Sequence, residues 1–393
     1  MRILGIESSC DETAAAVVDD GRRLLSNVIN SQIDIHSIYG GVVPEVASRS
    51  HLEVIIPVVE EALNRASSTW EDIDAIAVTF APGLVGSLLI GTLAARTLAF
   101  LKHKPLYAVH HVEGHVYANF LLEKTPAFPI LALIVSGGHT QLVIFRNHGD
   151  YELLGQTQDD AVGEAFDKVA KIIGLPYPGG PSVSKAALLG DPLAYEFPKA
   201  KFTCTHSGAH TGMSRKAQVS SGQSDTDSYR SGVAKPGTQR IAQDVCHYYD
   251  FSFSGLKTAV LRRVQAESGV AYDFPSHQLA ERLNEATRNN IAASFQNIAI
   301  ETLVDKTILA FRDYAPASVV IAGGVAANTE LRRQLSGRLP IAVHYADPVL
   351  CTDNAAMIAA LGYYMAQHLP PNDPLSLEVV PSLSMTKTAW NRS

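Results

Sequence analysis

The chain is poor in cysteine: among 393 residues there are four, Cys10, Cys204, Cys246 and Cys351, scattered and with no CxxC pair. A disulfide framework is excluded, and reduced thiols in a cytoplasmic protein are expected. Charge is sparse too, with 18% charged residues and a formal net charge of −7. That disfavours unaided, nonspecific coating of nucleic acid, while leaving room for a local basic patch or a partner that supplies one. Long uninterrupted apolar runs are missing. The stretch LVGSLLIGTLAARTLAFL at 84–101 is broken by Arg96, serine and glycine, so it reads as a buried helix and not as a membrane span. The apolar run at the start is cut by Glu7, too early for a secretory signal. What is abundant is apolar residues, 46% of a chain long enough for two ordinary domains with sizeable cores.

Along the chain, RILGIES, the polar turn SCDET and AAAVVDD predict a hairpin, and ILALIVS, GGHT and QLVIFRN predict a second of the same plan. Two related α/β lobes facing a cleft follow from that repeat of layout. Between the hairpins the spacing predicts a helix from Pro44 to Leu63, a strand at IDAIAVTF and a glycine-punctuated turn into an apolar helix. In the second half, TQDDAVGEAFDKVAKIIG carries a helical stripe of Phe166, Val169, Ala170 and Ile173, ending at Gly174. Two further strand, turn and helix units follow, SVVIAGGVAANTELRRQL and IAVHYADPVLCTDNAAMIAALGYY. The expected division is a first lobe over 1–125, completed by a helix near 353–368, and a second over 126–352. Residues 204–247, rich in Ser, Gly, Thr and Gln, predict a disordered insertion whose Cys204, His206, His210, Cys246 and His247 match no compact zinc spacing. Residues 370–393 predict a low-order tail.

The stretch HHVEGH at 110–115 places His111 and His115 four apart, on one face of a helix if helical. It resembles HExxH, but Val112 stands where a zinc protease has its glutamate, and Glu113 falls about 100° round the helix from that place. Protease chemistry is therefore disfavoured, while metal binding stays open. Asp353, in CTDNAA, is a candidate third ligand or simply a helix cap; the sequence leaves both readings standing. The glycine turns SGGHT at 136–140, AGGVAAN at 322–328 and YPGGPS at 177–182 can bring bare backbone close to a nucleotide, or merely turn. Asp167 with Lys171, and Glu164 with Lys168, have the spacing of surface ion pairs. Asp11 and Glu12 lie in the first hairpin turn, as acid/base groups or as plain turn residues. Arg262, Arg263, Arg332 and Arg333 are candidates for phosphate contact or for a solvated helix face.

Seven stretches, IESSCDETAAAVV, HHVEGH, LIVSGGHTQL, GEAFDKVAKIIGLPYPGGP, YDFSFSGLKTAV, IAGGVAANTELR and CTDNAAMIA, occur in order over about residues 1–368. Together they closely resemble the tRNA N6-adenosine threonylcarbamoyltransferase family, earlier known as O-sialoglycoprotein endopeptidases, in its bacterial or organellar form. The resemblance implies a two-lobed actin-like, sugar-kinase-type fold with duplicated RNase H-like domains. It implies a divalent metal, Fe(II) or Zn(II), on His111, His115 and Asp353. It also implies substrate contacts from Ile134, Val135, Ser136, Gly137, Gly138, Asp167, Gly180 and Asn328, with Ser9, Glu12 and His139 associated with activity. The implied partners are tRNA, threonylcarbamoyl-AMP, an inactive paralogue and a P-loop ATPase, and no membrane. Against this stand two other readings: an ATPase or small-molecule kinase of the same fold, and a noncatalytic scaffold of a modification complex. The insertion is the one departure from the family pattern.

Overall fold

In the computed structural model, residues 1–200, 202, 248–387 and 390 are described. Strands β1 (Arg2–Glu7), β2 (Glu12–Asp19) and β3 (Arg23–Ser31) are followed by helices α1 (Ile33–Ser37) and α2 (Pro44–Arg65). Next come β4 (Ala75–Ala81), α3 (Val85–Leu101), β5 (Leu106–His110) and α4 (His111–Tyr117). The second half runs β6 (Ile130–Val135), β7 (Thr140–Asn147), β8 (Asp150–Gln156), α5 (Val162–Ile173) and α6 (Gly179–Ala187). It continues through α7 (Ser254–Glu267), α8 (Glu285–Tyr314), β9 (Ser318–Ala322), α9 (Thr329–Arg338), β10 (Val343–Tyr345), α10 (Pro348–Cys351) and α11 (Ala355–His368).

Two five-stranded sheets result, ordered β3-β2-β1-β4-β5 and β10-β9-β6-β7-β8. In the first, β1 pairs antiparallel with β2 and parallel with β4; in the second, β6 pairs antiparallel with β7 and parallel with β9. The hairpins predicted from apolar runs around polar turns are therefore the start of each sheet, and each sheet repeats the other's connectivity. The architecture is the two-lobed α/β one expected. All of these elements belong to one compact unit, residues 1–200 and 249–393. The insertion at 204–247, with its cysteines and histidines, lies outside the described residues; Cys10 and Cys351 are free thiols.

The period of a strand divides the first core cleanly. Leu4, Ile6, Ala15 and Val17 pack with Ile55, Val58, Val59, Ala62, Ala95 and Ala99 from α2 and α3. Ile3, Ala14, Ala16 and Val18 face the other way, onto the cluster holding Ala355, Ile358 and Ala359 of α11. Gly5 lies on that second face. A Cβ there would stand 2.3 Å from the Ala355 carbonyl oxygen and 2.7 Å from the Ala359 nitrogen. Only glycine lets α11 lie this close to β1, and the close approach sets where the residues preceding α11 fall.

One expectation is corrected. The helix at 85–101 is not wholly buried: Val85, Leu89 and Leu93 are more than half exposed, and α3 covers the sheet with its opposite side. No helix among the described residues is long and apolar enough to cross a membrane. The described residues of the segment from 370, expected to carry little order, have little regular structure and are held at several points. Asn372 pairs with Leu106 at the edge of β5, Arg96 donates to the Pro374 and Leu375 carbonyls, and Val380 donates to Phe80. Leu377, Val380 and Leu383 close over Phe80, Ala81 and Ala108. Composition registers the missing local structure; it does not register that an uncovered sheet edge will pair with passing backbone.

Candidate metal centre and nucleotide cleft

The first hairpin turn is held by its carbonyls. His51 Nε2 lies 3.0 Å from the Cys10 oxygen, Leu84 N donates to the Ser9 oxygen and Gln32 N to the Asp11 oxygen. Ser8 Oγ donates to the Ser87 oxygen. The turn is thereby fixed at the C-terminal end of β1, next to the start of α4. There β5 ends and His111 and His115 take successive turns of the same helix face, both buried, with ring centroids 4.7 Å apart.

Asp353 reaches these rings from the other side. Its Oδ1 is 3.5 Å from His111 Nε2 and 3.3 Å from His115 Nε2. The alternative role for Asp353, capping α11, belongs to Asn354, whose side chain accepts from Met357 N and donates to the Leu350 and Thr352 carbonyls. Asp353 is left to face the imidazoles. The three ligand atoms lie within 4.8 Å of one another. Ligands about 2.1 Å from a shared cation sit about 3–3.5 Å apart, and both Asp353–imidazole distances have that spacing, as a divalent ion with positions left open requires. The buried Nδ1 of His115 has no hydrogen-bond partner among the described residues, whereas His111 Nδ1 has two, Glu7 Oε2 and Ser9 Oγ, each at 3.1 Å.

Electrostatics follow from that packing. Burial alone would lower the His111 pKa, but Asp353 and Glu7 outweigh it and raise it to about 9 in the metal-free chain. Burial would raise Asp353 and Glu7, yet the His111 cation beside them holds both below the usual carboxylate range. Glu12 goes the other way: burial, then Asp353 and Asp11, push it up to about 10. Its carboxyl lies 3.3 Å from the Ser31 hydroxyl. His139 falls to about 3, first through burial and then through His111, His110 and His115, so its imidazole is neutral.

The second hairpin turn is built differently. Ser136 N donates to the His139 oxygen and His139 N to Ser136 Oγ, leaving Gly137 and Gly138 exposed at the tip with open space where side chains would be. Ile134 and Val135 are wholly buried at the end of β6. Beside Val135, Gly323 takes φ +89°, and a Cβ there would stand 2.5 Å from the Val135 oxygen. Asp167 does not pair with Lys171; its Oδ1 accepts from Gly179 N at 2.6 Å, holding the turn that presents Gly180, again with open space above it. Glu164 and Lys168 do form the expected ion pair, at 2.8 Å. Asn328 caps α9 by accepting from Leu331 N, while its amide reaches Ser184 and Gln296. Burial raises Asp167, with Glu164 and then Asp11 adding to the effect against the Gly179 N–H; Tyr177, also raised by burial first, feels Asp11 and Asp167 together. Asp11, Asp167 and Tyr177 are therefore neighbours.

The family model described as TsaD: tRNA N6-adenosine threonylcarbamoyltransferase matches residues 23–247 and 225–360. The tRNA N6-adenosine threonylcarbamoyltransferase of Symbiobacterium thermophilum is 49% identical over 386 residues, 98% of this chain and 96% of that one. That of Staphylococcus saprophyticus is 47% identical over 366 residues, covering 92% and 91%. The chain belongs to the tRNA N6-adenosine threonylcarbamoyltransferase family. Full-length HypF, solved in a phosphate- and nucleotide-bound form, shares the fold with a TM-score of 0.54 at 13% identity, over 95% of this chain and 47% of that one. Within this family member Glu113, the residue that most suggests a protease, is buried away from the imidazole pair; burial pushes it up to about 8, with Trp390 and Tyr151 partly countering. Glu7, inside the stretch IESSCDETAAAVV, and Thr79 stand behind His111, and neither is assigned a role by the sequence. The signal was one charged residue closing an otherwise apolar strand.

Proposed function

We propose that the chain transfers the threonylcarbamoyl group from threonylcarbamoyl-AMP to N6 of the adenosine next to the anticodon of tRNA, with release of AMP. The observation that supports this most is the convergence of the His111, His115 and Asp353 ligand atoms beside glycine turns with open space above them. A divalent cation held by these three residues, Fe(II) or Zn(II), would supply Lewis-acid polarisation of the acyl oxygen. The segment Ile134–Gly138, Asp167, Gly180 and Asn328 would hold the adenylate, exposed glycine backbone allowing its phosphate and ribose to approach closely. N6 forms a bond to the carbamoyl carbon, the bond from that carbon to the phosphate oxygen breaks, and AMP leaves with the electron pair.

The proton of N6 must also go somewhere. In the metal-free chain burial, then Asp353 and Asp11, push Glu12 up; a cation on Asp353 would offset part of that, and its carboxyl is suited to a hydrogen bond with substrate. His139, held near 3, accepts a hydrogen bond but is too weak a base to keep a proton. The departing phosphate, gaining charge as the anhydride opens, would accept it. Ser9 is better suited to orienting His111 than to attacking substrate, because its hydroxyl lies against Nδ1. An adenosine in a loop can be splayed out at little stacking cost.

The four arginines nominated for phosphate contact are engaged within the chain. Arg262 stacks on Tyr272, Arg263 pairs with Glu267, Arg332 stacks on Tyr345 and Arg333 pairs with Glu330. That supports a need for basic surface from partners, an inactive paralogue and a P-loop ATPase. A kinase or ATPase of this fold has no use for His111 and His115. The test is transfer of labelled threonylcarbamoyl from its adenylate to unmodified tRNA, with partners present, by wild type and by folded His111→Ala. Label on tRNA that vanishes in the variant is expected; undiminished transfer by the variant would demote the histidines to structure. Phosphorylation of a metabolite without tRNA would favour the kinase.

A further inference from the structure

Strand β1 ends on a carboxylate where its neighbours are aliphatic. Counting by two along the strand, Ile3, Gly5 and Glu7 share the face turned to α11, and Glu7 is completely buried there. A buried carboxylate is retained only with donors aimed at it, and Glu7 has three. Ser9 N bonds Oε1, while Thr79 Oγ1 and His111 Nδ1 bond Oε2, the last at 3.1 Å. These donors come from the hairpin turn, β4 and α4, so the carboxylate is held by three separate elements. His111 alone of the two imidazoles has such a partner; Nδ1 of His115 has none among the described residues.

We propose that Glu7 is the positioning residue of the metal centre. Its carboxylate accepts a hydrogen bond from Nδ1–H of His111 and thereby leaves Nε2 unprotonated, facing His115 Nε2 and Asp353 Oδ1. Imidazole nitrogens bind metal through a lone pair, and the hydrogen bond made by the other nitrogen decides which one has it. Thr79 and Ser9 N keep the carboxylate from turning away. The centre is consequently asymmetric: His111 is preset in tautomer and ring angle, and His115 is set by packing alone. This inference rests on His111 being a metal ligand, and its test separates the two ideas.

The metal-free protein is titrated with Zn(II), and separately with Co(II) followed by its visible absorption, in wild type, Glu7→Gln, Thr79→Val and His111→Ala. Glutamine keeps the volume and loses the charge. Glu7→Gln is expected to loosen Zn(II) by about 10–100-fold and to alter the Co(II) spectrum, with Thr79→Val intermediate. Nitrogen-15 NMR of histidine-labelled, Zn(II)-loaded wild type supplies a readout that needs no Glu7 variant to fold. One imidazole, assigned by its loss in His111→Ala, is expected to carry its proton on Nδ1 and the metal on Nε2. Wild-type affinity in folded Glu7→Gln, or a His111 protonated on Nε2, would overturn the role given to Glu7 while leaving the metal centre standing. Zn(II) binding by wild type that is absent, or indifferent to His111→Ala, would overturn both.

Discussion

Adding one methyl group to Gly5, on the face of β1 that meets α11, tests how the fold places the centre. In Gly5→Ala the new Cβ would stand 2.3 Å from the Ala355 oxygen, 2.7 Å from the Ala359 nitrogen and 2.9 Å from the Ala359 Cβ. Two of these are helix backbone atoms, so no side chain can swing aside. Relief to ordinary contact requires the first turn of α11 to move by roughly 1 Å, and overpacking of this kind costs about 1–3 kcal/mol. Asp353, two residues before the helix, would be carried along. Its oxygen now lies 3.3 and 3.5 Å from the two imidazole nitrogens, and coordination tolerates errors of only about 0.2 Å. The expected result is therefore double: a urea midpoint lowered by that stability loss, and Zn(II) affinity lowered by at least tenfold in protein still folded. Gly137→Ala is the control, because its Cβ meets nothing within 4 Å; stability and metal affinity should both hold. A Gly5→Ala protein as stable as wild type and binding Zn(II) equally well would refute the claim that this close approach sets the position of Asp353.

Three more outcomes follow from the packing. Glu113 has its pKa raised from 4.5 to about 8, so between those values the native state binds a proton that the unfolded chain has lost. Stability should fall as pH rises from 4.5 towards 8, by up to about 1.4 kcal/mol per unit from this group, and denaturation midpoints of Glu113→Gln should lose that slope. Asn354→Ala removes the cap of α11 and its bonds to two carbonyls; a loss of about 1–2 kcal/mol in urea unfolding is expected, with weaker Zn(II) binding. Ending the chain at 370 uncovers Phe80, Ala81 and the β5 edge, so light scattering should report self-association that the full chain does not show.

Which parts of this could be read in the sequence follows from how local each signal is. Both hairpins were legible because apolar runs around a polar turn are complete within about twenty residues. The histidine pair was legible because four residues make a helical turn. Asp353 could be nominated but not chosen, since a cap and a ligand look alike until Asn354 is seen taking the cap. Asp167 looked like a surface ion pair until Gly179, brought close by the turn into α6, claimed its oxygen. Glu7 was illegible for a stronger reason: a charge at the end of an apolar run normally marks the strand leaving the core. Here the core continues over it, because α11, from the far end of the chain, lies on β1.

That same helix explains why a duplicated fold carries an unduplicated site. Each sheet begins with a hairpin, but the two turns are equipped in opposite ways. The first, after β1, holds Ser9, Asp11 and Glu12 with its carbonyls committed to the surrounding structure. The second, after β6, holds two exposed glycines with nothing above them. One turn can place charge and protons while the other lets a substrate approach bare backbone. The proposed metal ligands are tied to the first because α4 starts where β5 ends and because Gly5 admits α11, which brings in Asp353. Chemistry at one turn and substrate grip at the other is the division of labour this arrangement favours. It makes a definite claim: substitutions with room to spare at Gly137 or Gly180 should raise the KM for the adenylate and leave metal affinity unchanged. Changes along β1 and α11 should do the reverse, reaching the reaction only through the metal.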